Sequence, residues 1–160
     1  MNEDSPQSIE LKKIEVVLNH IKNVQKNCEI LGKKLIENGE FLLGRTLIAN
    51  GLTHDNSKFY GIEWDYLLSK EKDKLSLAIS HHISTNFHHP ESLGDTSSMS
   101  RVYIAEFVCD TFARSQEMGT SYSDWLKEEA TKKWGFTTNS KFYKECKVFY
   151  DLLALKFEKL

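Results

Sequence analysis

IELKKIEVVLNHIKNVQKNCEILGKKLIEN, residues Ile9–Asn38, decides the fold class. Leu11, Ile14, Val17, Leu18, Ile21, Val24, Cys28, Leu31 and Leu35 recur at steps of three and four, the period of one helix face. A long amphipathic helix follows, with Gly32 as the point where a kink is expected. Such a helix needs other helices to cover its apolar stripe, and the rest of the chain supplies them.

Working outward, Phe41, Leu42, Leu43, Leu47 and Ile48 predict a second helix over 40–50, which Gly51 is expected to end in the left-handed conformation. Asn56 to Leu68 opens with polar capping residues and carries Phe59, Ile62, Trp64 and Leu67, so a short helix is expected. Lys70 to His82 predicts another, with Leu75, Ala78, Ile79 and His82 on one face. Ser84 to Ser98 contains Pro90, Gly94 and several small polar residues and reads as a long loop. Helical spacing resumes from Met99 to Met118 with Gly119 as its stop, and continues over Ser123 to Trp134 and Ser140 to Lys159. The expectation is an all-α fold: a flexible segment 1–8, then one compact helical domain over 9–160 with about six to seven helices.

At 160 residues, 40% hydrophobic and 28% charged, the chain has the length and composition of one globular domain with its own core. The net charge of −2 comes from mixed acidic and basic residues, which disfavours nucleic acid as the main partner. No stretch reaches the ~20 apolar residues that span a bilayer, and MNEDSPQS at the start is acidic where a signal peptide would be basic. No membrane partner and a cytoplasmic location are expected. Cys28, Cys109 and Cys146 are scattered and are read as reduced, half-buried thiols. The oligomeric state is left open, a homo-oligomer included.

All six histidines lie between positions 20 and 89, four of them in the pairs His81–His82 and His88–His89. Imidazole and carboxylate are ligands that first-row divalent ions prefer, and a catalytic site needs several converging on one place. His20 falls between Val17 and Val24 at the edge of the buried stripe, and Asp110 falls between Phe107 and Arg114 on a largely apolar face. An inward carboxylate is costly unless paired or bound to a cation. The candidates are therefore His20, the doublet His54–Asp55, the downstream histidines and Asp110.

This order of a histidine, a His-Asp doublet and a later aspartate resembles the HD-domain superfamily of metal-dependent phosphohydrolases over about Lys12 to Arg114. The doublet continues as His54-Asp55-Asn56-Ser57-Lys58, an HDxxK form. The fuller pattern HDxSKF, then HxxxNxHHPE from His82 to Glu91, is similar to a small bacterial and phage group of HD-like proteins. The resemblance implies an HD-type helical domain in which His20, His54, Asp55 and Asp110 hold one metal. Asp55 would bridge to a second ion held by His82 and by His88 or His89. Lys58 would contact a phosphate oxygen or the charge developing on it. The GYP motif of the cyclic-dinucleotide branch is absent, since Pro90-Glu91-Ser92 follows the second histidine pair. The substrate is not implied.

His81 has a plain alternative as a helix-end residue suited to the dipole, and phase favours His82 within that pair. His88 and His89 stay equivalent. Arg101 and Arg114 are candidate phosphate contacts because guanidinium matches phosphate oxygens, although Arg114 has Asp110 and Glu117 as alternative partners. Glu63 is read as a surface pair in preference to a support for a ligand histidine. The three tryptophans read as packing residues. The function expected is a hydrolase that cleaves a nucleotide or related small phosphoester with metal-activated water, using one or two ions of Mn, Fe, Co, Ni, Zn or Mg. A di-iron oxygenase on the same scaffold and a non-catalytic nucleotide-binding module are the competing expectations.

Overall fold

The structure, a computed structural model, describes residues 5–67 and 69–155. It is all-α: α1 spans Pro6–Glu37, α2 Phe41–Thr53, α3 Gly61–Tyr66, α4 Lys72–Thr85, α5 Arg101–Met118, α6 Tyr122–Trp125, α7 Thr131–Trp134 and α8 Lys141–Ala154. A π-helical turn at Leu126–Ala130 joins α6 to α7, and short 3-10 turns occupy Asn56–Phe59, Pro90–Leu93 and Thr96–Ser98. No strand occurs among the described residues. No described helix is long and apolar enough to cross a membrane.

Ser5 caps α1 by accepting from the Ser8 amide at 3.2 Å, and Pro6 fits the first turn, where its missing N–H leaves no carbonyl unpaired. Residues 5–8 therefore begin a helix and are not the flexible segment expected, while residues 1–4 lie outside the described residues. So does Lys159, the expected end of the last helix; α8 ends at Ala154.

α1 runs unbroken through Gly32, because this glycine serves a crossing and not a kink. A methyl group there would lie 2.8 Å from the Gly44 carbonyl oxygen of α2, and one at Gly44 would run into the Gly32 carbonyl. The two backbones approach this closely only without side chains. Gly51 repeats the device, since its absent Cβ would sit 2.6 Å from Cys28 Cβ. It is therefore inside α2 and does not end it. The left-handed residue that redirects the chain is Asp55, at φ 56°, the only non-glycine residue with positive φ among those described.

The expected helix over 56–68 is divided by an extended Tyr60 and a left-handed Gly61, at φ 62°; Leu68 lies outside the described residues. α4 extends three residues beyond His82, its last turn held by Thr85 Oγ1 donating to the His81 carbonyl at 2.8 Å. α5 ends as expected at Gly119, at φ 65°.

The core fills the space between α1, α2, α5 and α8 with Leu31, Leu35, Leu47, Val108, Phe149 and Leu153, all fully buried. Burying each such side chain is worth about 1.5–3 kcal/mol against conformational entropy. Cys28, Cys109 and Cys146 are unpaired and fully buried here, not half-buried. Between the α1–α2 pair, α4 and the middle of α5 the interior turns polar.

Candidate metal centre

Five chain segments deliver side chains to that polar interior. His20 comes from the middle of α1, His54 caps the C-terminus of α2, and Asp55 follows it in the left-handed turn. Asp tolerates this conformation better than most residues, and the turn folds its carboxylate back beside His54. His82 comes from the last turn of α4, His88 and His89 from the loop before Pro90, and Glu106 and Asp110 from α5 one turn apart.

The donors form two groups whose atoms lie within 4.8 Å of one another: His20, His54 and Asp110, and Asp55, His82, His88 and His89. In the first, His20 Nε2 is 3.0 Å and His54 Nε2 4.0 Å from Asp110 Oδ1. In the second, Asp55 Oδ1 is 3.3 Å from His82 Nε2 and 3.6 Å from His88 Nε2. The other oxygen of Asp55, Oδ2, faces His54 Nε2 at 3.4 Å, so the carboxylate stands between the groups. Lys58 Nζ is 2.5 Å from that same oxygen.

The outward nitrogens are as ordered as the inward ones. His20 Nδ1 meets Glu117 at 3.0 Å, His82 Nδ1 meets Glu63 at 2.8 Å, and His54 and His88 direct Nδ1 at Glu106 from 3.1 and 3.4 Å. A carboxylate behind an imidazole fixes the Nδ1–H tautomer and leaves Nε2 with a free lone pair, the arrangement that supports metal-ligating histidines. A third donor group, His54, His88 and Glu106, is this supporting contact seen from behind.

Four of the six buried side-chain atoms without a hydrogen-bond partner among the described residues are His54 Nε2, Asp55 Oδ1, His88 Nε2 and His89 Nε2. Buried polar atoms left unpaired cost about 1–3 kcal/mol each, and here they converge. The donor set, nitrogen with carboxylate oxygen and no thiolate, fits a divalent first-row cation.

The electrostatics favour a proton on His54 that a cation at Nε2 would have to displace. Burial opposes charge on both members of the doublet, yet their mutual attraction outweighs it: Asp55 and Glu106 raise His54 well above the usual imidazole range, and His54 with Lys58 holds Asp55 well below the carboxylate range. Asp110 is partly buried, and His20 with His54 keeps it ionised. Burial also depresses His82, and burial with the neighbouring His88 and His82 drives His89 down to about 3. His82 and His89 are thus neutral imidazoles, the form that binds metal.

The remaining sequence candidates divide. His81 bonds Glu63 at 2.9 Å with 42% of its side chain exposed and belongs to neither donor group. Arg101 does not line the cleft over the donor groups: its guanidinium pairs with Glu40 at the start of α2 and with Glu145 of α8. Arg114 pairs with Glu117, not Asp110, at 2.9 Å and lines the cleft over the centre. Glu63 is fully buried and accepts from both His81 and His82, so it is not a surface residue. Glu106 and Asn50 are not among the sequence candidates, and Glu117 is there only as a partner of Arg114; the spacing of Glu106 one helical turn before Asp110 is the available signal.

A family of unknown function, DUF5662, matches residues 10–151. The chain belongs to this family. The DUF5662 match takes in every residue of both donor groups. No curated protein and no solved structure matches the chain. In this DUF5662 chain the centre opens into a cleft of about 270 Å³ that exposes His20, His82, His89 and Asp110. Lys58, Arg114 and Lys133 line its walls, the last paired with Glu91 at 3.4 Å, and Leu67, Ile79 and Ile83 add apolar surface. A larger groove of about 700 Å³, along Phe41, Leu42, Arg101 and Val102, contains none of the converging residues.

Proposed function

We propose that this protein is a divalent-metal-dependent phosphohydrolase of HD type, acting on a nucleotide or a related small phosphoester. One observation carries the reading: four imidazoles, each backed by a carboxylate at Nδ1, direct Nε2 toward Asp55 and Asp110 at the floor of a cleft rimmed by cations. His20, His54 and Asp110 would hold one ion, His82, His88 and His89 a second, with Asp55 shared. Bound there, divalent ions supply Lewis acidity and a water acidic enough to attack at neutral pH.

The chain's own groups account for the rest. Lys58, 13% exposed beside Asp55, carries its charge where a phosphate oxygen reaching the floor would lie. Arg114 and Lys133 stand further out on the cleft and suit the other phosphate oxygens. Leu67, Ile79 and Ile83 offer apolar contact to the organic part. A cytoplasmic setting belongs to the same reading, in keeping with three unpaired thiols.

The test is elemental analysis of the purified protein together with phosphate release from a panel of nucleotides and simple phosphoesters. We expect about two ions per chain and turnover with at least one substrate. His54→Ala and Asp55→Ala should lower metal affinity and turnover by about 10²-fold or more while far-UV circular dichroism is unchanged. Absence of metal with no stabilisation by added Mn, Fe, Co, Ni or Zn would overturn the proposal. Two irons with oxygen consumption and no phosphate release would replace hydrolysis with oxidation, and a nucleotide recovered intact from a metal-free pocket would make the protein a binding module.

A further inference from the structure

We infer that Glu106 is a positioning residue shared by both metal sites, so that the two sites form and weaken together. The inference rests on the centre holding two ions, and it goes beyond the ligand set to the group that aligns it.

Glu106 lies in α5, 5% exposed, one turn before Asp110. Its Oε1 is 3.1 Å from His54 Nδ1 and 3.4 Å from His88 Nδ1. Its Oε2 accepts from Asn50 Nδ2 at 2.9 Å. A carboxylate oxygen has two lone pairs, and Oε1 has two imidazole N–H groups to receive. The Asn50 contact fixes the rotation of the carboxylate that presents Oε1 to them.

The two histidines belong to different donor groups, His54 with His20 and Asp110, His88 with Asp55, His82 and His89. Losing this acceptor frees both rings to turn, or to move the proton onto Nε2, where it blocks the lone pair. Every other supporting carboxylate serves one group alone: Glu117 stands behind His20 and Glu63 behind His82. Glu106 is thus the one point in the second tier of contacts, among the described residues, at which both sites can be disturbed at once. A separate polar recess of about 150 Å³ beside Glu106, lined also by Asn50, His54 and His88, gives a freed ring room to rotate.

Stepwise binding of Zn²⁺ and Mn²⁺, measured by calorimetry with chelator competition, tests the inference on wild type, Glu106→Gln, Asn50→Ala and Glu63→Gln. A glutamine has one acceptor oxygen on a neutral group and cannot serve both imidazoles with a charge-assisted bond. Glu106→Gln should weaken both binding steps by about 10–100-fold, the range for lost supporting contacts at metal sites. Asn50→Ala should weaken both by a smaller factor, and Glu63→Gln one step only. A Glu106 that merely holds α5 in place would lower the melting temperature and leave the binding constants of the folded protein unchanged. Should Glu106→Gln fail to fold, Asn50→Ala alone decides, because it removes the restraint on the carboxylate and leaves its charge. Selective loss of one step, or no change in either, overturns the inference while wild-type binding of two ions leaves the hydrolase reading standing. A wild type that binds no metal overturns both.

Discussion

The two faces of α5 stand for two ways of building an interior. Phe107 enters an aromatic cluster, its ring centroid 5.3 Å from that of Trp134 and 5.5 Å from that of Phe142, with Tyr122, Trp125, Phe136 and Tyr150 around it. Its neighbour Glu106 enters the histidine centre. The aromatic side is held by area: each ring adds contact, the contacts are non-directional, and none depends on protonation. The histidine side is held by reciprocal pairs, in which imidazoles need their carboxylates and several buried atoms have no hydrogen-bond partner among the described residues. The first region makes the chain fold, and the second uses that fold to keep costly groups together.

Breaking the aromatic side should give the larger effect. Phe107→Ala removes a ring that is 1% exposed and should cost about 3–5 kcal/mol by urea unfolding. The molecules that remain folded should bind metal with unchanged stoichiometry. An equal collapse of metal affinity would mean that the regions are not separable.

Acid should act on the other side alone. Histidine attraction outweighs burial to hold Glu106 at about 2 against an ordinary 4.5, and burial with its neighbouring histidines holds His89 at about 3 against 6.5. In both intervals the unfolded chain binds more protons than the folded one, so stability rises with pH. The chelated protein should therefore lose stability below pH 6.5, more steeply below 4.5, and the loss should level off near the folded values. His54 has the opposite sign: its raised value contributes stability below 6.5 that fades as pH climbs through the folded value. Melting temperature against pH checks this, and Phe107→Ala should shift the curve down without changing its shape. A flat acid limb would contradict the electrostatic account of the centre.

The smallest effects should separate the two arginines. Arg101, 41% exposed in its ion pairs, should cost less than about 1 kcal/mol when changed to Ala and leave turnover intact. Arg114→Ala should leave stability similar and lower kcat/KM by about tenfold, the scale of one charge-assisted hydrogen bond. The reverse order would move the substrate away from the cleft that exposes His20 and Asp110.

Helical phase was enough to bring His20 and Asp110 inward from sequence, because burial within a helix repeats every three or four residues and leaves its mark locally. The all-α class was legible for the same reason. What escaped is what depends on residues far apart in the chain. Glu63 gives no local sign that His81 and His82, 18 and 19 residues later, will donate to it. Arg101 carries no sign of Glu40 and Glu145, 61 and 44 residues away. Glu106 went unread because a glutamate amid apolar neighbours looks like a cost until His54 and His88 arrive to balance it. Gly51 misled differently: its lack of a side chain serves close packing on Cys28, while the backbone freedom suggested by glycine was exercised four residues later by Asp55.

That left-handed turn carries a consequence for how this fold can vary. At φ 56° a glycine would sit with less strain than Asp55, by roughly 1 kcal/mol. Robustness and chemistry therefore pull in opposite directions at one position, and any drift toward a sturdier scaffold would erode the carboxylate shared by both donor groups.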